Sequence, residues 1–409
     1  MTAATKRNAR RTLLASTALI AAAAALPAQA QTQIASPQHG GAIAGAGAET
    51  VEDNTPAGGG IFVMSAGAPI TFTDVTIANT TGAGPTVGQA ANAIGLVNTN
   101  PTSQSITLNG SNSFATTQAG GTAFRAQTLN GDLTLTLNGG TQRFSGTDGL
   151  HLRAMDAIDL VNNGGPLTIS ATGGAGVYSR ANNGAATLNL GTVSVAGGAS
   201  TGIYAYGYAG ANVTTGGGTI SALTGIDARS AGVTTIVSGS TIIGTGTAQS
   251  VGITGFGESS SSARFDITSN GAISNVNTGI YFENRMGLAG NVIRVNASID
   301  AVSAGIDTGS STATDIHVGS DATVQGGVSG IARSSAGTTN NGGTVRGGVG
   351  ITSTVASSVV NSGLIQGSTF GVNFLAGGTL TNNAGATING RGSGGNGVNV
   401  AGAAGTIDN

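Results

Sequence analysis

The sequence predicts an all-β fold, a right-handed parallel β-helix (β-solenoid) of about 25 residues per coil, and three observations carry that expectation. A small residue followed by an apolar one recurs twelve times, at Phe124, Leu150, Val177, Ile203, Ile226, Ile253, Ile280, Ile306, Ile331, Ile351, Val372 and Val398, at intervals of 20 to 27 residues. Short runs with period-two alternation, such as Leu133-Thr134-Leu135-Thr136-Leu137 and Thr187-Leu188-Asn189-Leu190, lie between these positions and are too short for helices. Turn signals built from Asn and Gly separate the runs, as at Asn162-Asn163-Gly164 and Asn270-Gly271. Both residue types tolerate the left-handed backbone of tight corners. One coil of about three short strands cannot bury its own apolar side. Stacked coils bury a continuous column of Ile, Val, Leu and Phe while each strand hydrogen-bonds to the next coil. Twelve coils at ~4.8 Å make a rod of about 58 Å.

Composition narrows the alternatives. Gly supplies 72 of 409 residues, charged residues 8% and aromatics 4%, outside the ordinary globular mix. A net charge of only −2 and recurrent Val, Ile and Thr argue against disorder. Collagen requires Gly at every third position, and Thr71 to Thr81 contains none. The absence of Cys removes disulfides and thiolate metal sites. No Lys follows Lys6 and the charge is near neutral, so nucleic acid is not an expected partner.

Residues 1–30 read as an export signal. Lys6, Arg7, Arg10 and Arg11 form a basic segment, Leu13 to Leu26 is apolar, and Ala28-Gln29-Ala30 gives the small-x-small cleavage pattern, with the cut between Ala30 and Gln31. The apolar run falls short of the ~20 residues that span a bilayer. Residues 31–60 have little apolar content and read as a flexible lead or N-terminal cap, and 61–409 read as the solenoid.

The unit Val360-Asn361-Ser362-Gly363-Leu364-Ile365-Gln366-Gly367 is followed by Gly371-Val372, Gly378-Thr379-Leu380-Thr381-Asn382, Ala386-Thr387-Ile388-Asn389-Gly390 and Gly397-Val398. It resembles the passenger repeats of proteobacterial autotransporters, and the resemblance covers roughly residues 60 to 409. It implies a surface or secreted passenger for adhesion or cell-surface interaction. Its partners would be a Sec-type export machinery and an outer-membrane β-barrel translocator. A barrel needs many alternating segments of ~10 residues, and the sequence instead stops in mid-coil at Gly405 to Asn409. The expectation is a truncated frame, a released protein or a separate barrel partner, with a last coil that frays or self-associates through its unpaired edge.

Period-two alternation sends the first and third residues after each recurring apolar position outward. The first outward column reads Arg125, His151, Tyr178, Tyr204, Asp227, Thr254, Tyr281 and Asp307; the third-residue column reads Gln127, Arg153, Arg180, Tyr206, Arg229, Phe256, Glu283 and Gly309. Tyr208 and Arg285 continue the alternation. All five tyrosines thus fall on one strand face, with five of the eleven arginines after the signal. Past Asp307 the same positions hold small or uncharged residues such as Ala332, Thr352 and Asn373. Tyr and Arg favour interfaces, so this stripe is the expected contact for a glycan or protein ligand. The alternative is that its side chains only stabilise neighbouring strands, at ~0.2 to 1 kcal/mol per pair.

An enzyme of the pectate-lyase-like kind would need acids grouped in one groove, and a purely structural stalk would need no stripe. Glu283 and Asp307, expected within ~8 Å of each other on neighbouring coils, and the group Asp148, His151, Arg153, Asp156 and Asp159 are the only acid clusters of note. Both read as solvated surface charge. Gly198-Ala199-Ser200-Thr201-Gly202 and Gly392-Ser393-Gly394-Gly395-Asn396-Gly397 match a nucleophile-elbow and a phosphate-loop string, but neither leads into an expected helix. His39, His151 and His317 are far apart in repeat order, so no metal and no cofactor is expected.

Overall fold

The computed structural model describes residues 69–73, 75–83, 92–98, 100–258 and 263–409, together with the backbone of short strands between 32 and 65. The export signal, its cleavage point at Ala30 and Gln31, His39 and much of segment 31–60 lie outside the described residues. The chain is a parallel β-solenoid of about 12 turns, with roughly 26 residues per turn. One coil shows the plan. Leu133–Asn138 forms a first face, Gln142–Gly146 a second and Asp148–Ala154 a third, before Ile158–Asn162 returns to the first. Each strand pairs in parallel with its equivalent one coil on.

Among the described residues the first face is a 16-stranded sheet, and the second and third merge into one of 23 strands. The merger arises where single strands bend round the corner between two faces, as in Val193–Gly207, Thr219–Ser230 and Leu364–Phe374. Described strands within 31–60, Ala42–Gly45 and Glu49–Glu52, also pair in parallel with the coil that follows.

All twelve recurring apolar residues are register partners in one ladder on the third face, from Phe124 through Leu150, Val177 and Ile203 to Val398. The ladder continues upstream through Ile94 to Ile61. Alternate residues turn inward, so Leu133, Leu135, Leu137, Leu150 and Leu152 are fully buried, each side chain contributing about 1.5–3 kcal/mol of apolar transfer. Upstream, Phe72, Phe114, Phe124 and Phe144 fill the interior with ring centroids 5.2 to 6.3 Å apart.

The glycine that precedes most ladder residues, from Leu150 to Val398, has a steric cause. A Cβ on Gly225 would stand 2.4 Å from Ile242 Cγ2 and 2.5 Å from the carbonyl of Gly252. The same clash with the next glycine carbonyl repeats at Gly252, Gly279 and Gly305. Corners are also bonded along the axis. Asn341 Nδ2 donates to Asn361 Oδ1, Asn361 Nδ2 to Asn382 Oδ1 and Asn382 Nδ2 to Asn409 Oδ1, at 2.8, 2.8 and 2.6 Å.

Arg333 breaks the inward pattern. It pairs with Thr308 and Ser353 on adjacent coils and points into the core, 1% exposed. Its guanidinium donates to Thr339 Oγ1 and to the carbonyls of Thr314, Ser335 and Ala336. Burial without a paired carboxylate pushes its pKa down to about 10, and the charge of Asp315 only partly offsets that.

Candidate contact surface

The two outward columns lie side by side on the third face. Arg125, His151, Tyr178, Tyr204, Asp227, Thr254, Tyr281 and Asp307 are successive register partners. So are Gln127, Arg153, Arg180, Tyr206, Arg229, Phe256 and Glu283. In-register strands ~4.8 Å apart place equivalent side chains at ring-stacking distance. His151 stacks on Tyr178 at 4.4 Å between centroids, and Tyr178 on Tyr204 at 5.0 Å with ring planes 12° apart. The ring faces therefore cover one another, which leaves edges and hydroxyls for solvent.

The arginines differ in their surroundings. Arg229 donates to both Asp227 carboxylate oxygens, at 2.8 to 3.1 Å, and lies over Tyr204 and Phe256. The hydrogen bond to Asp227 raises its pKa, against burial. Arg180 donates to Asn182 Oδ1 and lies over the Tyr206 ring at 5.1 Å. Among the described residues Arg125 reaches only Gln127 Oε1, at 3.5 Å, and its pKa is lowered by burial and then by Arg153. Tyr208 and Arg285 lie just past the ends of their strands; Tyr208 is 57% exposed, and Arg285 is ion-paired with Glu283.

The stripe is continuous in register and divided in chemistry. A stacked aromatic and cationic part runs from Arg125 to Arg229. Beyond Thr254 comes a second group in which Tyr281 donates to Glu283 Oε2 at 2.5 Å and Asp307 is the register partner of Tyr281. Burial, reinforced by Glu283, raises the pKa of Asp307. Burial and the hydrogen bond to Glu283 push Tyr281 up to about 12. Its neutral form is favoured in the fold, so that contribution is intact below the ordinary value of 10.0 and lost as pH rises through about 12. A spectrophotometric tyrosine titration of the native chain is expected to show Tyr281 ionising last. Replacing Glu283 by Gln should bring that final step to lower pH, and an unchanged titration would contradict the assignment.

The group Asp148, His151, Arg153, Asp156 and Asp159 is not one site. Asp159 lies on the first face and Asp148, His151 and Arg153 on the third. Asp148 Oδ1 accepts from the Ala175 N–H, and His151 Nδ1 is 3.9 Å from Asp148 Oδ2, beyond hydrogen-bond reach. His317 is on the first face beside Arg294. The string 198–202 lies within the strand Val193–Gly207, and 392–397 leads into the strand Asn396–Val400. No protein-family model, curated protein or solved structure matches this chain.

Proposed function

We propose that this chain is exported and acts at the cell surface or outside the cell as an autotransporter-type passenger. It would contact a glycan or protein ligand through the third face, by binding rather than by catalysis. Export rests on the Sec-type signal read in residues 1–30, and delivery would require an outer-membrane β-barrel. The observation that carries the contact reading is the in-register stack His151, Tyr178 and Tyr204 beside Arg153, Arg180 and Arg229. It is a fixed row of aromatic edges and guanidiniums on one side of a rod. Aromatic rings already held in a stack lose little conformational freedom on binding, and Tyr and Arg are enriched among the residues that dominate contact energy. The reading without catalysis is supported at Glu283, which is 8% exposed and engaged by both Tyr281 and Arg285.

The test is adherence of the intact protein to cultured cells and to a glycan array, compared with a variant carrying Tyr178→Ser, Tyr204→Ser and Tyr281→Ser. Loss of adherence with an unchanged β-type circular dichroism spectrum is expected. Full adherence by the folded variant would refute the contact surface.

A further inference from the structure

Three guanidiniums on consecutive coils of the stripe lack the neutralisation found farther along it. Arg153 and Arg180 are direct register partners on adjacent strands. Arg125 lies one coil before Arg153, two residues from its partner Gln127. Like charges placed opposite one another destabilise strand pairing. On the same face Arg229 and Arg285 each meet a carboxylate, Asp227 and Glu283. Arg153 makes no hydrogen bond or ion pair among the described residues. Asp148, the carboxylate that acts on Arg125, accepts from the Ala175 N–H and faces His151.

Two buried nitrogens at the same place, Arg125 Nε and His151 Nε2, also have no hydrogen-bond partner among the described residues. Unsatisfied buried polar atoms are rare, and an unfilled ion or ligand position is one recognised cause. The fold thus gathers three guanidiniums here, and among the described residues none of them is ion-paired with a carboxylate.

Resting on the contact-surface reading above, we propose that Arg125, Arg153 and Arg180 form a cationic row that binds one acidic polysaccharide chain laid along the solenoid axis. Successive coils repeat at ~4.8 Å, roughly the length of one sugar in an extended chain, so a glycan with one carboxylate or sulfate per residue supplies about one anionic group per coil of the row. An extended acidic peptide presents same-face carboxylates about 6.8 Å apart, two residues at ~3.4 Å each, and falls out of step within a few coils. Because stacking closes the ring faces of Tyr178 and Tyr204, recognition would run through charge and hydroxyl groups rather than through sugar rings packed on aromatic faces.

The experiment measures binding of the intact protein to a long oligogalacturonate, to its neutral methyl ester and to poly-L-glutamate, by calorimetry at low and high salt. The double variant Arg153→Gln and Arg180→Gln is compared with Arg346→Gln, an exposed arginine of the second face. Binding to the oligogalacturonate that weakens with salt and falls by about tenfold or more in the double variant, but not in Arg346→Gln, is expected. The thermal midpoint of the double variant should stay level or rise, because a repulsion is removed; a merely structural role for the pair would lower it.

Three results would overturn the proposal: no binding of the oligogalacturonate, equal binding of its neutral ester, or undiminished binding by the double variant. Tighter binding of poly-L-glutamate would replace the polysaccharide with a peptide. If the three Tyr→Ser replacements abolish cell adherence while the oligogalacturonate never binds, the contact surface stands and the polysaccharide reading falls.

Discussion

Replacing Arg333 by alanine is expected to destabilise the solenoid by about 3 kcal/mol, the scale of buried carbonyls left unsatisfied plus a core cavity. The side chain is enclosed between the coils of Thr308 and Ser353. Its terminal nitrogens hold the Thr314 carbonyl at 2.7 Å, the Ala336 carbonyl at 2.9 Å and Thr339 Oγ1 at 2.7 Å. A methionine would restore volume without donors and should recover only part of the loss. The sign of the pH dependence is opposite to that of a salt bridge. A cation whose folded pKa is lowered to about 10 is disfavoured as a charge by the fold, so the penalty holds below that pH and is relieved as pH rises through it. Urea denaturation of the wild type and the alanine variant reads the first effect, with amide exchange in Thr314–Val318 and Thr338–Asn341 locating it. Equal midpoints would mean that the guanidinium braces nothing.

Gly279→Ala is expected to cost about 1–3 kcal/mol, the range for one methyl forced into a packed interior. An added Cβ there would stand 2.2 Å from Ile299 Cγ2 and 2.4 Å from the Gly305 carbonyl, which is backbone of the paired strand. Gly217→Ala is the matched control, since nothing lies within 4 Å of its Cβ position, and it should change stability by no more than ~0.5 kcal/mol. Thermal unfolding of both variants decides the point. A similar loss in each would shift the explanation from close packing to a backbone conformation that suits glycine.

That contrast bears on what the sequence made readable. The Gly-apolar repeat marked the third-face ladder because one steric rule, a glycine against the next coil's carbonyl, is enforced at nearly every turn. Ile94 and Ile61 belong to the same ladder, but the intervals of 30 and 33 residues that follow them exceed the 20 to 27 of the later coils and hide the repeat. Arg333 occupies an inward position where the adjacent coils place the small polar Thr308 and Ser353. Its acceptors, the carbonyls of Thr314, Ser335 and Ala336, carry no side-chain signature.

On the stripe, alternation alone fixed which side chains share a face and in what order. It did not distinguish the guanidiniums that are neutralised from those that are not. Arg229 turns back to Asp227 two residues away, and Tyr281 to Glu283, through rotamers that depend on the neighbouring coil. Proximity in sequence does not keep Asp159 with Asp148, because the chain turns a corner after Ala154 and Asp159 emerges on another face.

The most direct test of the contact surface is hydroxyl-radical footprinting of the intact protein, free and while retained on glycan-coated beads from the array that captures it. Protection concentrated at Tyr178, Tyr204, Tyr206 and Tyr208, with the exposed Met286, Leu288 and Val328 as reactive as in the free protein, is the result the account predicts. Protection of Met286, Leu288 or Val328 with the third-face tyrosines unchanged would place the contact elsewhere and contradict it.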